Sequence, residues 1–334
     1  MFVALAFAWG SSYFFIKVGI ESGLQPLTLV AWRLAIGITG LLVLLRPTGS
    51  RISREWRVLA RIAVMGIFYV AVPFMLITWA ERSIGSALAT ILQALTPLFA
   101  LVIAALVLEE EPITVNKLGG LVLGFGGAVV ILARHLAPVT GADPTSGLTG
   151  ELALILSCVS YAGAAVFQRR AIGTRPLIDD PLVGRRALRP LEIALPQNVV
   201  ALAIVLPLAL VFETGAGLPV PPDATAWLSV VWLGLVGSAI AYLLYYRLLN
   251  AWGAYRASLI TYAMPVVGIL LGVLVLNEII DLQTLVGTGM VIAGIALANA
   301  PFGRRVLYRR ARTRATVPPV PMPDATTRPV PAVD

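Results

Sequence analysis

The sequence contains one cysteine and one histidine, and charged residues fill only 13% of its 334 positions. A lone Cys158 excludes an intrachain disulfide and reads as a small packing residue. His135 stands apart, with no H-E-x-x-H and no Cys/His cluster, so neither a metal site nor a Ser/His hydrolase site is legible. No G-x-x-x-x-G-K-[ST] loop occurs, which argues against an ATP-driven pump on this chain. No cofactor is called for. The shortage of charge also argues against a water-soluble globule, since such domains carry about 25% charged residues. What replaces charge is apolar surface: 58% hydrophobic residues and a mean hydropathy of +0.89.

The apolar residues fall in ten runs, near 1–20, 28–45, 58–79, 84–107, 115–133, 149–168, 192–212, 226–246, 257–276 and 284–300. A hydrocarbon core about 30 Å thick needs about 20 such residues in a helix. Backbone groups in lipid must be satisfied within each span, so the expected fold is all-α: a polytopic membrane protein of ten transmembrane helices. The opening run lacks a basic flank and is read as a retained span.

The net charge of +8 could point to nucleic acid, but its distribution points to lipid. With the N-terminus inside, all of the 25 basic residues except Lys17, Arg33, Arg82 and Arg134 fall in inside segments. That asymmetry predicts a multi-pass protein of the plasma (inner) membrane with both termini cytoplasmic. The Arg-rich start of the 301–334 tail suits anionic headgroups, and its Pro-rich remainder predicts disorder.

An internal repeat runs at an offset of 168 residues. Gly85, Pro97 and Glu110 match Gly253, Pro265 and Glu278, and Gly119 and Gly126 match Gly287 and Gly294. Five spans per unit place the two copies in opposite orientation, the arrangement of secondary transporters with a site near the midplane. Glu110 then falls at the inner end of span four and Glu278 at the outer end of span nine.

The repeat carries a family resemblance. Ala8-Trp9-Gly10-Ser11-Ser12-Tyr13-Phe14-Phe15-Ile16-Lys17, Ala31-Trp32-Arg33-Leu34, the Gly-Ser-Ala-Leu-Ala start at Gly85, Pro97 and Glu110 resemble the EamA-type drug/metabolite transporters. The resemblance implies two EamA-like five-helix repeats, over 1–134 and 149–300, joined by an outer loop over 135–148. It implies secondary transport of small metabolites without ATP, through a site lined by spans one, three, four, six, eight and nine. Outward movement of amino acids or amphipathic compounds is the leading expectation. Anionic ligands such as a nucleotide sugar or phosphorylated metabolite are the alternative, and a membrane scaffold is a third reading. The Arg-rich connection 169–191 departs from the family pattern and leaves the start of span seven open.

Helical spacing nominates cavity residues. Thr90, Gln93 and Pro97 share a face of span four, and Ser258, Thr261 and Pro265 occupy the matching face of span nine. Each proline should free a carbonyl that substrate or water can use. Trp9, Ser12 and Tyr13 share a face of span one, as do Ser157, Ser160 and Tyr161 on span six. Phe74 and Tyr242 correspond across the repeat. Lys17 and Arg33, the two basic residues within spans, are expected as an outer charged cluster that attracts an anion or gates with Glu21 or Glu81. Snorkelling, or a static i,i+4 pair of Lys17 with Glu21, is the favoured alternative. No acid falls at a span centre, so any ion coupling must use the span ends. The glycine-rich runs of spans five and ten predict close helix contact, within one chain or between the subunits of a homodimer.

Overall fold

A computed structural model describes residues 1–45, 52–108, 113–133, 144–173, 177–180, 184–213, 220–245, 247–248, 260–300 and 306–308. The described residues form ten main helices: α1 Phe2–Glu21, α2 Pro26–Leu45, α3 Trp56–Ala80, α4 Ser86–Val107, α5 Val115–Leu132, α6 Pro144–Ala171, α7 Pro190–Phe212, α8 Ala224–Tyr245, α9 Ile260–Leu274 and α10 Leu282–Asn299. Among the described residues nine are long and apolar enough to span a bilayer, and α9 is the shorter tenth. The start expected for span nine, with Gly253 and Ser258, lies outside the described residues. So do Glu110, Arg134 and His135. α6 begins at Pro144, so the connection expected over 135–148 is helical from there onward. In the Arg-rich connection, β2 Ile178–Asp180 pairs antiparallel with β3 Gly184–Arg186. Arg186 then grips Glu192 through two bonds of 2.8 and 2.9 Å, which fixes the start of α7 at Pro190. β1 Ile113–Thr114 pairs with β4 Val306–Tyr308, in the Arg-rich start of the tail, and the Pro-rich remainder lies outside the described residues.

The main helix contacts are unchanged when the two halves are exchanged. α2 packs on α7, α4 on α9 and α5 on α10. The contact of α1 with α9 mirrors that of α6 with α4, and α2 with α8 mirrors α7 with α3. An all-α fold of two inverted five-helix repeats accounts for this pattern. The α5–α10 seam explains the glycines. A Cβ on Gly294 would come within 2.5 Å of Gly124 N, and one on Gly127 within 2.6 Å of Gly287 O. These glycines join the halves within one chain.

Both third helices contain a π-helical stretch at repeat-related positions, Gly66–Ala71 in α3 and Trp232–Ile240 in α8. Both α4 and α9 carry proline. α4 breaks at Ala94–Leu95, just ahead of Pro97. One end of the bundle carries Glu21, Glu81, Glu213 and Glu278, and is called here the carboxylate end. There Glu213 accepts from the backbone N–H groups of Leu27 and Thr28 at the start of α2. Glu278 does the same for Ser86 and Ala87 at the start of α4. Helix N-termini present unpaired N–H groups and partial positive charge, so each carboxylate clamps one half to the other.

Candidate substrate cavity

A cavity of about 240 Å³ opens between the halves. α1 supplies Trp9, Ser12, Tyr13 and Ile16, one face at helical spacing. α3 adds Tyr69, Phe74 and Ile77. α8 adds Gly237, Ser238 and Tyr242, and α6 adds Tyr161. The walls are thus largely aromatic, with hydroxyls set among them. Sites for drug-sized ligands run to about 300–1,000 Å³, so this space suits a smaller molecule.

Arg33 lies in the cavity wall, 6% exposed. Its guanidinium carbon sits 3.9 Å from the centroid of the Phe74 ring, and its Nε donates to Ser238 Oγ at 3.4 Å. No carboxylate lies within ion-pair distance among the described residues. Gly237 keeps the space open, since a Cβ there would meet Ser12 Oγ at 2.9 Å and approach Arg33 Nη2 at 3.8 Å. A buried cation held by a ring face and one hydroxyl retains unused donors.

The expected pairing of Lys17 with Arg33 in one outer cluster does not form. Lys17 is absent from the cavity lining, and its ammonium donates to the backbone oxygens of Glu81 at 2.9 Å and Ile84 at 3.2 Å. Glu21 lies 3.9 Å away, the i,i+4 partner weighed above. Only Arg33 faces the cavity.

Among the other nominated residues, Trp9, Ser12, Tyr13, Phe74, Gln93, Tyr161 and Tyr242 come together around the cavity. Thr90, Pro97, Ser160 and Pro265 are absent from its lining. Thr90 donates to Ser86 O at 2.7 Å and stands against Gly268 of α9, where it seals the α4–α9 contact. Ser160 donates to Phe68 O at 2.7 Å, a carbonyl inside the π-helical stretch of α3. Ser258 and the side chain of Thr261 lie outside the described residues. The carbonyl four residues before Pro97 is occupied: Gln93 O accepts from Thr96 Oγ1 at 2.8 Å and from Cys158 Sγ at 3.9 Å. The protein, rather than a ligand, fills that position.

Sequence reasoning missed Tyr69, Thr96, Gly237 and Ser238. Tyr69 and Phe74 are five residues apart, which an α-helix places on different faces. The wider π-helical turn, with its i→i+5 bonding, brings them to one wall. Gln197 of α7 reaches the same wall by donating to Tyr242 Oη at 3.2 Å.

The model of the EamA-like transporter family matches residues 1–133 and again 148–300. The chain belongs to that family. It is 30% identical to an uncharacterized transporter of Archaeoglobus fulgidus over 296 residues, covering 86% of this chain and 93% of that one. It is 27% identical to the uncharacterized inner membrane transporter YedA of Escherichia coli K12, over 89% of this chain and 88% of that one. It is 29% identical to a protein of Streptantibioticus cattleyicolor named probable terminal-alkyne amino-acid exporter, over 90% and 92%. A solved crystal structure of another protein shares the fold, with a TM-score of 0.58 at 20% identity, covering 88% of this chain and 97% of that one. This EamA-family chain is accordingly a multi-pass membrane transporter with a cavity between its halves.

Proposed function

We propose that this transporter exports small amphipathic metabolites that carry a carboxylate, amino acids above all, by alternating access between its two halves. Arg33 is the observation that supports the reading. A buried guanidinium with no anionic partner in the wall of a small aromatic cavity matches one carboxylate, which it can engage through two parallel bonds. The aromatic rings accept an apolar side chain. The relative named as an amino-acid exporter fits the same chemistry. A nucleotide sugar fits less well, because Arg33 is the sole cation among the lining residues and the space is small. The charge asymmetry of the loops supports cytoplasmic termini, which puts the carboxylate end outside the cell.

Counterflow in proteoliposomes loaded with amino acids, and in parallel with their carboxamides, tests the proposal. Acids should exchange and amides should not. Arg33→Gln should raise KM for the acids about ten- to a hundredfold, the range of a charge-assisted hydrogen bond of about 1.5–3 kcal/mol. Equal exchange of acids and amides would refute the carboxylate assignment. If no solute moves under any ion gradient, the transport proposal itself fails.

A further inference from the structure

Glu81 follows directly on the last turn of α3 and is completely buried, yet neither carboxyl oxygen has a hydrogen-bond partner among the described residues. Ile77, one turn earlier, lines the cavity, so Glu81 stands one turn beyond it toward the carboxylate end. Its surroundings give an ionised carboxylate little support. On α1, the Lys17 ammonium is committed to the backbone oxygens of Glu81 and Ile84, with Glu21 nearby, and Tyr13 contributes its phenol below. On α2, Arg33 is turned to Phe74 and Ser238. On α6, Gly150 packs against Ala80 O and Ser83, next to the buried Glu151.

Beyond α9, Glu278 adds a second negative charge. Its carboxylate accepts from Ser86 N at 2.7 Å, Ser86 Oγ at 2.9 Å and Ala87 N at 2.9 Å. Gly85 and Gly272 leave the hollow it occupies, since a Cβ on either would come within 2.6 and 2.8 Å of its Oε2. This clamp ties the residues after α9 to the start of α4 at the carboxylate end, and the turn from Glu81 to Gly85 leads straight into it. The negative charge of Glu278 repels an ionised Glu81, and of the two carboxylates only the part-buried Glu278 has donors among the described residues to hold its charge.

We propose that Glu81 is a proton-binding site whose occupancy holds the carboxylate end shut: the neutral acid fits the sealed end, and loss of the proton opens it. The proposal rests on the alternating-access reading and supplies its ion linkage. Burial pushes the Glu81 carboxyl well above the usual carboxylate range. Lys17 and Arg33 pull it down, while Glu278 and Glu21 push it further up. An opened end hydrates the group and returns it toward about 4.3. Closing therefore takes up a proton, so acid favours the shut form. That advantage fades as pH rises through the raised value. The second half has no copy of this group, because the position 168 residues on is Leu249.

The full chain with Cys158→Ala and a Ser12→Cys reporter in the cavity wall provides the test, in right-side-out vesicles treated with a membrane-impermeant maleimide. External labelling is compared with the same reporter carrying Glu81→Gln, so that thiol ionisation cancels. The ratio of the acid form to the Gln form should rise about tenfold or more between about pH 6 and pH 9. A flat ratio would overturn the proposal. If Glu81→Gln does not fold, infrared spectra of the unsubstituted protein in D2O decide the matter. A protonated-carboxyl C=O band that persists at neutral pH and bleaches on alkalinisation supports the site, and its absence overturns it. A reporter that labels from neither side at any pH would instead refute alternating access, and the infrared band would still judge Glu81 alone.

Discussion

Arg33 depends on Phe74 for its posture. With the guanidinium carbon 3.9 Å above the ring centroid, the cation is desolvated by a surface that takes none of its hydrogen-bond donors. A second carboxylate in the wall would neutralise it, and a water-filled wall would weaken it. Phe74→Leu keeps the bulk and removes the ring face. A cation–π contact is worth about 0.5–2 kcal/mol, so KM for an amino acid should rise by about two- to thirtyfold with kcat nearly kept, less than for Arg33→Gln. Counterflow at graded substrate concentration checks this, and an unchanged KM would remove Phe74 from the site. The sequence showed Arg33 and Phe74 as unusual residues within spans. It could not bring them together, because their meeting requires α2 to pack on Val72–Ala80, the part of α3 that follows the π-helical stretch, and that packing leaves no periodic trace. Lys17 shows the converse. Its charge looked equivalent to that of Arg33, but backbone carbonyls at the turn after α3 take it up.

Helices five and ten carry the clearest pattern in the chain, and also the most extensive helix contact among the described residues. The glycines repeat at one offset, so close packing was legible, whereas the partner was not: a glycine face meets a symmetry mate within the chain or in another chain by the same physics. The structure pairs α5 with α10. A Cβ added to Gly294 would meet backbone atoms on the opposite helix, at 2.5 Å from Gly124 N and 2.6 Å from Gly120 O. Backbone cannot move aside as a flexible side chain can, so Gly294→Leu should destabilise the protein by about 1–3 kcal/mol or more. Gly289 has nothing within 4 Å of its would-be Cβ, and Gly289→Ala should stay within about 0.5 kcal/mol of the parent. Thermal unfolding in detergent reads both, and equal melting temperatures for the two variants would contradict the seam. The π-helical stretches are the opposite case. Gly66–Ala71 and Trp232–Ile240 contain no motif that announces the wider turn, so a 3.6-residue period misplaces every face that follows.

At the scale of the molecule, two sources of evidence agree on one topology. Exchange of the halves maps the main helix contacts onto themselves, and five helices per half bring both chain ends to the same side of the bundle. The loop charges concern a different property, the side of the membrane, and by the positive-inside rule they favour the cytoplasm for that end. The bundle geometry was legible because lipid forces long apolar runs and an odd repeat inverts them. The cavity was only partly legible because it exists between helices. If the topology holds, a reporter enzyme active only in the cytoplasm should work when fused before Met1, inserted in 46–51, or fused after Asp334. The same reporter inserted in 214–219, which joins α7 to α8 at the carboxylate end, should be silent. Activity at 214–219 with silence at both chain ends would turn the molecule over. The Glu278 clamp and Glu81 would then face the cytoplasm, and a proton on Glu81 would govern substrate entry instead of release.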